Sequence, residues 1–409
     1  MAASVSSSGR PRLLFVCHRF PYPPTKGDKI RAWHVLSHLS EHYDICLATF
    51  LDDPADRQHI AKLKTKTAAL FIRRIDPRRA KVRAGLSLVR GEPLSFGYYR
   101  DPRMVAWIAR QRQQAFAAEF AFSSSMAPYL RGGKAPRFID FCDLDSAKWS
   151  AYGKSGRLPM RLLHSYEGRA LAKAEAQLIS MATRSYFVSP EEAALARALP
   201  GAAPERVDWF KNGIDTDYWR ADAGFRRIRP GFDIVFTGMM DYQPNVDAVT
   251  TFAKTVWPRL RALHPRLTFG IVGARPTKAV LDLADLPGIT VTGRVEDTRP
   301  FLAAAKVAVA PMRVARGLQN KVLEAMAMGT PVMASTAAVT GTGAMAGTHL
   351  LVADTADEMV TTLAGLLADP STAHRLGQEA TAFVRTHYQW ADTLERLHAV
   401  LPQKAAIAA

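Results

Sequence analysis

From Gly317 to Val332 the chain reads Gly-Leu-Gln-Asn-Lys-Val-Leu-Glu-Ala-Met-Ala-Met-Gly-Thr-Pro-Val, a glycine loop, a short helix and a buried strand in succession. That order suits a grip on a sugar phosphate. Gly317 lets the backbone come close to a ligand, the free N–H groups at the helix start favour an anion, and Lys321 adds a full positive charge. Glu324 follows one turn later, where its carboxylate can accept hydrogen bonds from vicinal hydroxyls such as those of a ribose. The competing reading is a loop that caps an ordinary α/β helix, with both charges merely solvated.

The elements around this stretch bear on the choice. Short β-branched and apolar runs alternate with amphipathic helical runs, the pattern of parallel sheets wound with helices. In the first half, strands are expected at 13–17, 44–50, 68–72, 138–141, 185–188 and 207–210, with helices over 28–42 and 161–181. In the second half, six strands at 234–237, 268–272, 289–291, 307–310, 332–334 and 350–352 predict a Rossmann-like domain. Ligands of open parallel sheets lie beyond the carboxyl ends of the strands. There stand Gly238-Met-Met-Asp241, Gly273-Ala-Arg275, Gly293-Arg-Val-Glu-Asp297 and the loop Pro311–Gly317, each pairing a glycine with charge. Arg275, Arg294, Arg313, Arg316 and Lys321 are thereby available for phosphates. No GxGxxG follows a strand, which argues against a dehydrogenase.

A chain of 409 residues with 48% hydrophobic content is long for one core and predicts two domains. Cys17, Cys46 and Cys142 show no paired spacing, and no His/Cys cluster has zinc spacing; His34 and His38 lie one turn apart without an evident third ligand. Reduced thiols and no metal are expected. No signal peptide is read at the N-terminus, and no apolar run approaches the ~20 residues of a membrane span. The net charge of +17 calls for acidic partners. It concentrates between Lys62 and Arg112, where arginines and lysines interleave with Leu86, Leu88, Val89, Leu94, Phe96, Tyr98 and Tyr99. Such a mixture suits an interfacial segment on anionic lipid, and the bland alternative is a solvated basic face. No nucleic-acid-binding signature accompanies it.

The order Asn212-Gly-Ile-Asp215, Gly238, Gly293-Arg-Val295 with Asp297, then Gly317 to Glu324-Ala-Met-Ala with Gly329 and Pro331-Val332, resembles the retaining nucleotide-sugar glycosyltransferases of the GT-B fold, family 4. The resemblance covers nearly the whole chain. Three segments look more narrowly like the sugar transferases of exosortase/PEP-CTERM exopolysaccharide systems: Cys17 to Arg31, Asp140 to Trp149, and Gly238-Met-Met-Asp-Tyr-Gln-Pro-Asn-Val-Asp247.

The resemblance implies an α/β GT-B architecture of two Rossmann-like domains facing a central cleft. Residues 1–215 would form an acceptor-binding domain, 216–385 a donor-binding domain, and 386–409 a helix crossing back to brace the first. It also implies that Glu324 binds the donor ribose, Lys321 and Arg316 the pyrophosphate, and the backbone around Arg294 and Val295 the base. Gly317 and Gly238 would line the same donor site, while Gly27 and Asp28 would approach the phosphates from the opposite lip. Two departures stand out. Arg316 occupies the place of the family's usual glutamate eight residues before Glu324, and Met239 and Met240 replace the usual Arg and Lys after Gly238.

Glycosyl transfer needs a neutralised leaving diphosphate, a placed acceptor hydroxyl and stabilised oxocarbenium charge. Cations and a helix dipole supply the first without a metal, and no Asp-x-Asp stands in a donor loop; Asp143-Leu-Asp145 is the nearest match. Asp143, after a strand end, is the acceptor-side candidate, or else a cap for the helix that starts near Ser146. His18 would orient acceptor or donor, or be held structurally by nearby carbonyls. The expected protein is a retaining, hexosyltransferase-type enzyme at the inner face of the plasma membrane. It would take a nucleoside-diphosphate sugar, with no other cofactor, and a lipid-linked polysaccharide precursor. A nucleotide-sugar epimerase of the same shape would need further acid/base groups about the sugar. A non-catalytic nucleotide-sugar-binding protein, suggested by Arg316, would show binding without turnover.

Overall fold

The computed structural model describes residues 9–25, 27–155, 158–226, 228–315 and 318–402. The chain divides into two compact units, one of Met1–Lys211 with Thr393–Ala409 and the other of Asn212–Asp392.

The first unit holds a seven-stranded parallel sheet. Its strands are β1 (Arg12–Cys17), β2 (Asp44–Leu51), β3 (Ala69–Arg74), β4 (Ala118–Phe122), β5 (Arg137–Cys142), β6 (Arg184–Phe187) and β7 (Val207–Trp209), in the spatial order β3-β2-β1-β4-β5-β6-β7. Strands covered by helices on both faces become continuous apolar runs, and β1 and β4 are buried at every residue. β4 has no counterpart in the sequence reading. Glu119 interrupts its apolar run, and it is tolerated inside because Arg112 grips it with two N–H groups, Nε to Oε1 at 2.8 Å and Nη2 to Oε2 at 2.7 Å.

In the second unit β8 (Ile234–Thr237), β9 (Phe269–Val272), β10 (Ile289–Gly293), β11 (Val307–Ala310), β12 (Val332–Ala334) and β13 (Leu351–Val352) order as β10-β9-β8-β11-β12-β13, again all parallel. In each sheet the chain reverses direction of travel once, between β1 and β4 in the first and between β8 and β11 in the second. Those two points are where open sheets of this kind leave a crevice.

A bound arginine explains one of the distant motif pairs. Arg31, on the helix Gly27–His42, donates from Nε to Asp140 of β5 at 2.7 Å and from Nη1 to the Phe210 carbonyl at 2.9 Å, and its guanidinium lies 3.7 Å from the Phe210 ring centroid. Both side chains of the ion pair are fully buried. The pair fastens the first helix to the sheet.

Among the described residues no helix is long and apolar enough to cross a membrane. The helix Trp390–His398 straddles the division between the units, which falls after Asp392 rather than after the expected 385. Gly213 lets it approach, since a Cβ there would meet Trp390 at 2.8 Å.

Candidate functional site

At the reversal point of the second sheet, the loop after β8 packs directly on the loop after β9. A Cβ on Gly273 would sit 1.7 Å from the Gly238 carbonyl oxygen, and one on Gly238 would meet Asn245 Nδ2 at 2.7 Å. Only glycine permits both approaches. Asn245, near the start of the helix Gln243–Thr255, then organises the loop: its Nδ2 donates to the Met239 carbonyl at 2.9 Å, and its Oδ1 accepts from Lys321 Nζ at 2.5 Å.

Lys321 belongs to the helix Asn320–Ala327, which follows β11 and buries Val322, Leu323, Ala325, Met326 and Ala327. That apolar face leaves Lys321 and Glu324 on one side, one turn apart, both partly buried. Lys321 Nζ lies 4.8 Å from the Phe236 ring centroid and 3.8 Å from Met312 Sδ. Burial pulls this ammonium down to about 8, against the opposing pull of Glu324. Burial pushes Glu324 up to about 7, against the pull of Lys321. Among the described residues nothing donates a hydrogen bond to Glu324, and Asn320 Oδ1 is buried without a partner. The helix therefore offers one cation with a single amide partner, one unsatisfied carboxylate and one unsatisfied amide oxygen.

Asn212-Gly-Ile-Asp215 supplies the neighbouring wall. Asp215 accepts from the Tyr218 N–H at 2.9 Å and so sets Tyr218, whose phenol lies within electrostatic reach of Glu324. The Tyr218 ring carries the Arg299 guanidinium at 3.7 Å, and Arg299 is held by Asp297 at 2.6 Å. Two arginines expected to be free for phosphate are instead engaged with carboxylates: Arg313 with Asp247 at 2.5 Å, and Arg275 with Asp241 at 3.5 Å. Arg294 is exposed and Val295 packs partly against the core. Arg316 and Gly317 lie outside the described residues.

At the reversal point of the first sheet, His18 follows β1 and stacks on Phe122 at the end of β4, with ring centroids 5.8 Å apart. Its Nε2 is 3.5 Å from Asp28 Oδ2, and Arg19 Nη1 donates to the same oxygen at 2.8 Å. Burial would raise the Asp28 carboxyl, but His18, Arg19 and the Lys29 N–H outweigh it and hold it well below the usual carboxylate range. His18 Nδ1 is buried with no partner. A Cβ on Gly27 would meet nothing within 4 Å, so the first turn of this helix borders open space.

Asp143 sits in the turn after β5, next to Cys142, whose φ of 65° turns the chain outward. Its carboxyl is raised, chiefly by lost solvation and then by Asp145, despite Lys148. Asp145 begins the helix Asp145–Ser155 and accepts from Ser124 Oγ and Lys148 Nζ, at 3.0 and 2.5 Å. It is a structural residue of that turn. His34 is not drawn into a cluster, but His38, Glu41 and His42 bring their ligand atoms within 4.8 Å of one another. They lie roughly 16 Å along the helix from Gly27, at the far end from the sheet's carboxyl edge.

Sequence reasoning thus placed Gly238, Lys321 and Glu324 at one point, and did not find Asn245, Asn320 or Tyr218. Asn245 stood inside a quoted motif; its signal was an amide seven residues after the loop glycine.

The fold matches solved glycosyltransferase structures across the chain. Anabaena HepE, crystallised with UDP and glucose, superposes with a TM-score of 0.66 at 12% identity, covering 95% of this chain and 99% of that one. The sucrose-phosphate synthase of Thermosynechococcus elongatus gives a TM-score of 0.67 at 16% identity, covering 95% and 98%. D-inositol 3-phosphate glycosyltransferase 1 of Catenulispora acidiphila is 30% identical over 251 residues, 55% of this chain and 58% of that protein. The chain thus spans a little over half the length of this curated relative. In fold the chain is GT-B, two Rossmann-like domains, and its residues 231–369 match the family described as Glycosyl transferases group 1.

Proposed function

We propose that the chain is a retaining glycosyltransferase of the hexosyl type. It moves a sugar from a nucleoside-diphosphate sugar to a lipid-linked polysaccharide precursor, in exopolysaccharide synthesis at the inner face of the membrane. The observation that carries this reading is the grouping of Lys321, Asn245 and Glu324 about Gly238 at the reversal point of the second sheet. A structural neighbour crystallised with UDP and glucose supports UDP as the nucleotide.

In this reading Lys321 gives up its contact with Asn245 to neutralise the leaving diphosphate, and the Gly238 backbone lies against the phosphates. Glu324 accepts the ribose hydroxyls, which supply the donors its carboxylate lacks. Arg316 and Gly317 belong to the same grip by family resemblance, and Arg294 and Val295 border the base. His18 and Asp143 serve the acceptor hydroxyl. The transfer runs without metal, since fixed cations carry the leaving-group charge. The basic stretch 62–112 rests on anionic lipid, and flotation with anionic vesicles, lost at high salt, is the expected result.

The test is a thermal-shift screen against UDP, GDP, ADP and CMP with their sugar conjugates, scored for release of nucleotide. A ligand at ~100 times its Kd adds about 2.7 kcal/mol and a few degrees. Stabilisation with slow nucleotide release is expected; stabilisation without turnover would favour a binding protein, and no response at all would overturn the reading.

The pH dependence of nucleotide binding follows from the same pair. Glu324 ionises above about 7 and Lys321 keeps its charge below about 8. Affinity should therefore rise as pH climbs through about 7 and fall again past about 8. Calorimetric titration with UDP across that window checks this, and a flat profile would remove both groups from the donor site.

A further inference from the structure

The first unit contains a cavity of about 270 Å³ that the transfer chemistry leaves unused. Tyr98 and Tyr99, Trp149, Met160, Leu163 and His164 form most of its wall. The aromatics expected at a lipid surface thus face inward. Glu167 builds the cavity: its carboxylate accepts the Leu94 N–H at 2.6 Å and the Ser95 N–H at 3.0 Å, which pins the helix Leu94–Tyr98 above the helix Met160–Met181. Tyr166 Oη donates to the Glu92 carbonyl at 3.2 Å, a second tie between this helix and the segment before Leu94.

Two features identify an occupant. Within the wall only a few polar atoms appear, and two of them, Ser95 Oγ and His164 Nδ1, are buried without partners. A sugar ring, with a hydroxyl on most carbons, would find too few partners there; an alkyl chain needs none. Beside the cavity, the helix Pro77–Val89 exposes Val82, Leu86 and Val89 at 67%, 52% and 86%, among the exposed cations Arg78, Arg79 and Lys81. Leu158 and Leu162 are exposed on the other side at 65% and 62%, next to exposed Arg161. A planar bilayer would be met by this outer rim, whereas a concave apolar cavity admits a single chain.

We propose that this cavity takes the hydrocarbon chain of the phosphate-bearing lipid acceptor, while the cations of Pro77–Val89 and Arg161 meet its phosphate. The assignment rests on the acceptor being lipid-linked, as in the proposed function.

Farnesyl phosphate, held below its micelle concentration, is the probe. Equilibrium dialysis with the full chain should show binding that Ala84→Trp, which fills the cavity, weakens by at least about tenfold, a difference near 1.4 kcal/mol. Leu163→Asp, which places a charge in its wall, should do the same should the first variant fail to fold. Melting temperature and UDP binding are measured on the same samples. Farnesyl phosphate affinity equal to wild type in both folded variants overturns the proposal. So does binding of phosphatidylglycerol vesicles with no binding of farnesyl phosphate, which would give the face to the bilayer. UDP binding lost on its own counts against the transferase reading and leaves the cavity result to be judged by itself; farnesyl phosphate binding absent on its own counts against the cavity.

Discussion

Glu324→Gln should lose the donor and gain stability. In the fold this carboxyl is raised by burial from an ordinary 4.5 to about 7. A carboxyl raised on folding makes the native state hold its proton more tightly than the unfolded chain. Its ionised form is therefore a penalty, absent below 4.5 and fully present above about 7. Each pH step of that interval is worth about 1.4 kcal/mol, but the side chain is partly solvated and its loss takes a neighbour from Lys321, so a gain of about 1–2 kcal/mol remains. Melting at pH above 7 should rise by a few degrees. The ribose hydroxyls lose a charged acceptor at the same time, worth roughly 1.5–3 kcal/mol per hydrogen bond, so kcat/KM should fall by about 100-fold or more. Lys321→Met should cost a similar factor by leaving the diphosphate uncompensated. Wild-type kinetics in Glu324→Gln would remove it from the site; a lower melting temperature would show that the carboxylate supports the fold.

Which parts of this molecule were legible follows from how locally each is encoded. The second sheet was read almost residue by residue because Ile234–Thr237, Val307–Ala310 and Val332–Ala334 are short apolar runs with glycine or proline at one end and nothing charged inside. β4 escaped because Glu119 breaks such a run, and only Arg112, on the far side of a loop, makes the burial affordable. Gly238, Lys321 and Glu324 could be grouped in advance, since strand ends and helix starts are local features. Asn245 could not be placed there, because its role depends on a lysine 76 residues later. The same blindness affected the arginines. Arg275 and Arg313 looked like free phosphate ligands, but their carboxylate partners lie far away in sequence, Asp241 in the loop after β8 and Asp247 in the helix Gln243–Thr255. In the first unit, Tyr98 and Tyr99 read as surface aromatics among cations; Glu167, 72 residues from Ser95, turns their helix inward.

Asp140→Ala should be the most damaging single change in the first unit. It leaves the Arg31 guanidinium charged and fully buried, with Phe210 still against it but its carboxylate gone. Breaking a buried pair from one side costs about 3–5 kcal/mol, because the remaining charge has lost its compensation while its desolvation stays. Asp140 also accepts the Cys142 N–H at 3.1 Å, so the turn that carries Asp143 loosens as well. The double change Arg31→Met with Asp140→Leu removes both charges and should recover most of the loss, which separates an uncompensated charge from a simple packing defect. Guanidinium unfolding followed by hydrogen exchange should show the strands β1, β4 and β5 losing protection while β8 to β12 keep theirs, since the pair lies wholly in the first unit. A double variant as unstable as Asp140→Ala would mean that the pair holds the helix Gly27–His42 by shape, and that its charges are incidental.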